Sequence, residues 1–159
     1  MFINSESSRT GKFGIQIAKI LGWYVITSCS GANIELCKNP GLDEVLDYRQ
    51  VDVGSVLSEN AKEEGALYDL VVDSVGTPSH LYAEANNFIK KGGLFVQVRV
   101  LLSWGDIKDI LIRLLLPTFL GGGDREIVIV DAKHDVKAYE QIAKRVQEGK
   151  AKVAIDEVF

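Results

Sequence analysis

The chain has 159 residues, 47% of them hydrophobic and 25% charged, which suits one compact domain with a single core and argues against disorder. Its net charge of -4, with Lys and Arg scattered, offers no basic field for nucleic acid or an anionic membrane. The longest apolar stretch, 107–120, is broken by Lys108, Asp109, Arg113 and Pro117, too short and too charged to span a bilayer, and no secretion signal follows Met1.

In chain order, residues 2–4 (FIN) read as a first strand, 5–11 as a tight turn and 12–21 as a helix. Residues 24–29 (YVITSC) form a second strand, 33–38 a short helix stopped by Pro40 and Gly41, and 44–48 (EVLDY) a third strand. A more polar helix over 52–62 leads to 67–75 (LYDLVVDSV), whose nearly continuous apolar run marks a strand covered on both faces. Gly76, Thr77 and Pro78 turn the chain into a helix through Ile89, with Thr77 as its cap and Pro78 at its first position. Residues 90–93 read as a turn and 94–100 (LFVQVRV) as the fifth strand. An amphipathic segment to Leu116 and the glycines 121–123 precede a sixth strand over 126–130, a helix over 135–147 and an extended piece over 152–159. Strands alternating with crossover helices predict an α/β, three-layer, doubly wound parallel sheet of about six strands, Rossmann-like, with its ligand across the carboxyl ends of the first and fourth strands. A first strand that starts almost at Met1 and an extended final segment suit a domain belonging to a larger protein.

Two cysteines, Cys29 and Cys37, fit a reduced, cytoplasmic protein with inert thiols. Neither His80 nor His134 has metal-ligand spacing, so no zinc is expected. A phosphate-loop reading of 5–12 fails twice: Glu6 stands where the first glycine is needed, and Phe13 where a magnesium-binding Ser or Thr follows the lysine. A methyltransferase would need a glycine-rich first turn and an acid after the second strand, and both are missing. The end of that strand, Thr27-Ser28-Cys29-Ser30, carries no carboxylate for a ribose 2′-hydroxyl, so NADPH is favoured over NADH if either binds.

The strings 13–19 (FGIQIAK), 41–48 (GLDEVLDY), 68–76 (YDLVVDSVG), 91–93 (KGG) and 149–159 (GKAKVAIDEVF), in this order along the whole chain, resemble the cofactor domain of the medium-chain dehydrogenase/reductase superfamily, nearest its zinc-independent quinone oxidoreductases. The resemblance implies a domain, residues 1–159, of a two-domain enzyme passing hydride from NADPH to a quinone or enone, here without the family's catalytic domain and with little activity alone. It also implies a homodimer through the edge strand 126–130. The phosphate turn departs from the family: Ser5, Glu6, Ser8 and Arg9 stand at glycine positions, and Glu6 opposes an anion at a helix start, which Arg9 partly offsets.

By the same resemblance, Arg9, Thr10 and Gly11 belong to the phosphate turn, while Ser30 and Tyr48 sit at the 2′-phosphate end. Ser30 as a helix cap and Tyr48 as a packing residue are the alternatives. Ser74, Val75 and Gly76 meet the nicotinamide ribose or simply end a strand. Phe119, Leu120 and Gly121 line the nicotinamide or pack a loop. Arg99 either contacts a phosphate or substrate or obstructs the pocket. Asp73 has no His or Lys partner nearby in sequence, and hydride transfer depends on cofactor positioning, so no catalytic residue is named. A non-catalytic remnant or interaction module that keeps the fold without the cofactor is the rival reading.

Overall fold

The computed structural model describes residues 1–4, 9–31, 34, 41–63, 65, 67–75, 80–98, 126–130 and 135–151. Six strands, β1 (Phe2–Asn4), β2 (Ile26–Cys29), β3 (Glu44–Asp47), β4 (Tyr68–Asp73), β5 (Ile89–Gln97) and β6 (Glu126–Ile129), form one sheet in the order β3-β2-β1-β4-β5-β6. Every pairing is parallel. The order reverses between β1 and β4, the switch point at whose carboxyl ends an open parallel sheet takes its ligand, as the alternating pattern predicts.

Side-chain alternation along the central strands builds two cores. On β1, Phe2 enters a cluster with Leu57, Val71, Phe88 and Phe95, while Ile3 enters one with Ile15, Ala18 and Val25. On β4, Val71 and Val72 divide the same way. Helix α1 (Arg9–Ile20) supplies Ile15 and Ala18 to one face. Helices α2 (Val53–Glu63), α3 (His80–Ala83) and α4 (Ala85–Phe88) supply Leu57, Ala61, Leu81, Tyr82, Ala85 and Phe88 to the other. Tyr82 meets Phe95 edge-on, with ring centroids 5.0 Å apart.

The helix ends follow their chemistry. Gly22, at φ 78°, closes α1 with Trp23 N donating to Ala18 O and Gly22 N to Lys19 O, each at 3.0 Å, the paired bonds of a Schellman ending. Asp52 accepts from Ser55 N at 2.8 Å at the start of α2. Asp135 accepts from Lys137 N at the start of α5 (Val136–Gln147).

Three boundaries differ from the sequence reading. Helix α1 begins at Arg9, so Arg9, Thr10 and Gly11 form its first turn and the connection from β1 is shorter than expected. The helix expected up to Ile89 is two short pieces separated at Glu84, and Ile89 already pairs with Tyr68. Residues 90–93 are not a turn between elements. They are a register irregularity inside β5, where the pairing moves from Tyr68 with Ile89 to Leu70 with Leu94. Gly92 at φ 80° accommodates the extra residues, and a Cβ on Gly93 would stand 2.7 Å from Ile89 Cγ2 and 3.1 Å from Asp69 O. Almost all of the helix expected over 33–38, the amphipathic segment to Leu116 and the extended piece over 152–159 lie outside the described residues.

Candidate functional site

At the carboxyl edge of the sheet the strands end in polar residues set side by side. Asn4 on β1 is in register with Ser28 on β2 and Asp73 on β4, and Asp73 is in register with Gln97 on β5. Thr27, Ser28, Asp73 and Gln97 are all buried. Burying such groups is unfavourable unless they are hydrogen-bonded. Here Ser28 Oγ donates to Asn4 Oδ1, Asn4 Nδ2 donates to Asp73 Oδ1 at 2.9 Å, and Thr27 Oγ1 donates to Ile3 O at 2.7 Å. Asp73 Oδ1 also accepts from Val75 N at 3.0 Å, fixing the chain as it leaves β4. Ser74 N donates to Asn4 O at 3.0 Å, so the ladder continues one residue past the strand end. Asp73 thus accepts hydrogen bonds that join β1 to the exit of β4.

The site residues expected from sequence converge on this edge in part. Asn4 delivers the chain toward α1, whose first turn holds Arg9, Thr10 and Gly11, with Gly11 buried. The first turn of a helix is, in general, where backbone N–H groups can meet an anion. Ser30 is buried directly after β2. Tyr48 follows β3, and its N–H donates to Cys29 O at 3.2 Å, which brings it beside the end of β2. Ser74 and Val75 follow β4, half-buried; the Ser74 hydroxyl oxygen is buried without a hydrogen-bond partner among the described residues. Gly76, Arg99, Phe119, Leu120 and Gly121, and the turn residues Ser5, Glu6 and Ser8, lie outside the described residues.

One feature was missed in the sequence. Although β2 ends without an acid, the Asp47 carboxylate of β3 reaches the same place: a Cβ on Gly31 would lie 2.6 Å from Asp47 Oδ2. Both oxygens of Asp47 are engaged, Oδ1 by Arg49 N and Oδ2 by Gln50 Nε2, each at 3.0 Å. The Asp47–Cys29 register carried the signal, but only once the β2–β3 pairing is known.

Cys29 is buried and forms no disulfide among the described residues. No three His, Cys, Asp or Glu side chains converge among the described residues, so these do not furnish a zinc site and no step is assigned to zinc. No helix among the described residues is long and apolar enough to cross a membrane.

The opposite, amino edge of the sheet is built from surface ion pairs. Lys19 Nζ bonds both carboxylate oxygens of Asp43 at 2.8 and 2.6 Å, and Asp43 Oδ2 accepts from Val25 N at 2.7 Å. Lys90 Nζ reaches Asp69 Oδ1 at 2.7 Å across the β4–β5 irregularity. The Lys19 hydrogen bond, then that from Val25 N, holds the Asp43 carboxyl below the usual aspartate range; Lys90 does the same for Asp69.

The family model described as zinc-binding dehydrogenase matches residues 40–159. A trans-enoyl reductase of Aspergillus terreus is 41% identical over 160 residues, covering 100% of this chain and 44% of that protein. A zinc-type alcohol dehydrogenase-like protein of Schizosaccharomyces pombe is 28% identical over 159 residues, with the same 100% and 44% coverage. The chain therefore spans less than half the length of these curated relatives. Among solved structures, a quinone oxidoreductase from Coxiella burnetii superposes with TM-score 0.73 at 21% identity, over 98% of this chain and 43% of that one. The Escherichia coli quinone oxidoreductase complexed with NADPH gives 0.70 at 18% identity, over 97% and 47%. At these identities the structures establish the shared fold.

Proposed function

Because this chain belongs to the zinc-binding dehydrogenase family of medium-chain dehydrogenases/reductases, we propose that it is the cofactor-binding domain of an NADPH-dependent oxidoreductase that reduces a quinone or enone. The observation that carries this is the hydrogen-bonded polar row Ser28–Asn4–Asp73 at the switch point between β1 and β4. An open parallel sheet receives its ligand there. Buried polarity at a strand end is costly unless it is hydrogen-bonded; here the hydrogen bonds also fix the exits toward α1 and toward Ser74 and Val75.

A nicotinamide cofactor, when bound, supplies the hydride. The first turn of α1 would hold its phosphates through backbone N–H groups, Gly11 allowing close approach. Ser74, whose hydroxyl has no hydrogen-bond partner among the described residues, and Val75 would face the nicotinamide ribose, and Ser30 and Tyr48 the adenosine end. β2 itself ends without an acid, which supports NADPH over NADH, and Asp47, the acid that reaches this place from β3, has its two oxygens engaged by Arg49 N and Gln50 Nε2. The trans-enoyl reductase relative supports an activated carbon–carbon double bond as acceptor. The second wall of the substrate cleft would come from the part of such relatives that this chain does not cover, so turnover by residues 1–159 alone is expected to be low. A homodimer through β6 is supported by exposed Val128, Ile129 and Val130 at that end of the sheet.

Ser5, Glu6, Ser8 and Arg9 in the phosphate turn favour a second reading, a fold kept as an interaction module without cofactor. Calorimetric titration with NADPH and with NADH separates the two. Micromolar NADPH binding with weaker NADH binding supports the first; a folded chain that binds neither supports the second.

A further inference from the structure

We propose that Arg49 is the residue that selects a 2′-phosphorylated cofactor, presented by a turn that Asp47 locks in place. This rests on the cofactor reading above and names the specificity determinant within it. The stretch after β2 contains Gly31 and Ala32 and brings no cation of its own. Arg49 comes instead from the turn after β3, which Tyr48 N ties to Cys29 O at the end of β2.

Three observations give this arginine a role beyond an ordinary solvated side chain. Its guanidinium carbon lies 6.0 Å from the centroid of the Tyr48 ring, at the outer edge of cation–π range, a contact that biases the planar fork toward the ring before any ligand arrives. The turn beneath it is held at five points: Tyr48 N to Cys29 O at 3.2 Å, Arg49 N to Asp47 Oδ1 and Gln50 Nε2 to Asp47 Oδ2 at 3.0 Å, Gln50 N to Asp47 O at 2.9 Å and Val51 N to Asp47 O at 3.1 Å. The guanidinium makes no ion pair among the described residues, and the adjacent Asp47 carboxylate is occupied by Arg49 N and Gln50 Nε2. Asp47 beside Gly31 would repel a nearby phosphate, so binding one there requires a cation within reach. Arg49 meets that need and can engage a phosphomonoester with two parallel hydrogen bonds.

The test is titration of the whole chain with NADPH, NADH, 2′,5′-ADP and 5′-AMP, in the wild type and in Arg49→Ala and Arg49→Lys. Arg49 is exposed, so both variants are expected to fold as the wild type does. The expected result is a loss of about tenfold or more in affinity for NADPH and 2′,5′-ADP in Arg49→Ala, with NADH and 5′-AMP unchanged and partial recovery in Arg49→Lys. An unchanged ratio of NADPH to NADH affinity in Arg49→Ala overturns the assignment and leaves the cofactor reading standing. Capture of 2′,5′-ADP through Arg49 without any NADPH binding keeps the assignment and sinks the cofactor reading. A wild type that binds none of the four ligands removes both.

Discussion

The two edges of the sheet are built by different physics. At the amino edge, charges sit at the surface and pair locally: Lys19 with Asp43, Lys90 with Asp69. At the carboxyl edge, uncharged and charged polar side chains are buried and bonded across strands, from Ser28 through Asn4 to Asp73, and on to Val75 N. Surface pairs add little stability and are screened by salt. Buried polar rows are costly to leave incomplete and give little flexibility to their members. One edge thus serves to close the fold and the other to fix the backbone exits from β1 and β4.

Substitutions at the two edges are expected to differ in what they cost. The largest effect is expected from Phe95→Ala, which empties a fully buried site between β5 and Tyr82. It should cost about 3–5 kcal/mol in urea denaturation and loosen both edges alike. Gly93→Ala acts from the amino-edge side of β5, where the new methyl meets Ile89, Lys90 O and Asp69 O. A loss of about 1–3 kcal/mol is expected, with nucleotide affinity unchanged. Asn4→Ala removes the bridge between Ser28 and Asp73 and leaves Asp73 short of a donor. Its stability cost should be similar, about 1–3 kcal/mol, but accompanied by weakened NADPH binding in calorimetry. Equal NADPH affinity in Gly93→Ala and Asn4→Ala would erase the distinction between the edges.

The smallest effect belongs to Lys19→Ala, below about 1 kcal/mol in thermal melts and smaller still in high salt. Titration of the same pairs gives a pH signature. Asp43 and Asp69 have folded-state values below the ordinary one, so their contribution is complete above about pH 3.9 and is lost as pH falls through the depressed folded values. Acid melts below about pH 4 should therefore narrow the gap between the wild type and Lys19→Ala.

Much of the architecture was legible because it depends on periodicity. The apolar run of β4, the amphipathic α1 and the alternation of strands with helices carry the sheet order. Glycine chemistry was legible only in part: Gly22 ends α1 as a helix-stop residue should, whereas Gly92 and Gly93, which look like a turn, lie within β5. Only the β4–β5 pairing reveals that the chain resumes its ladder at Leu94. The site was less legible for the same reason. Asn4, Ser28 and Asp73 are far apart in sequence and unremarkable singly, and Asp47 reaches Gly31 only across the β2–β3 ladder. Cross-strand contacts leave no mark on local spacing.

Amide hydrogen exchange with and without NADPH tests the functional division most directly. Saturating NADPH should slow exchange at the carboxyl edge, at Cys29, Tyr48, Ser74 and Val75 and in the first turn of α1, while Val25, Asp43 and Lys90 at the amino edge keep their free-state rates. Slowing spread evenly over both edges, or none at all at the carboxyl edge, would contradict its assignment as the nucleotide site.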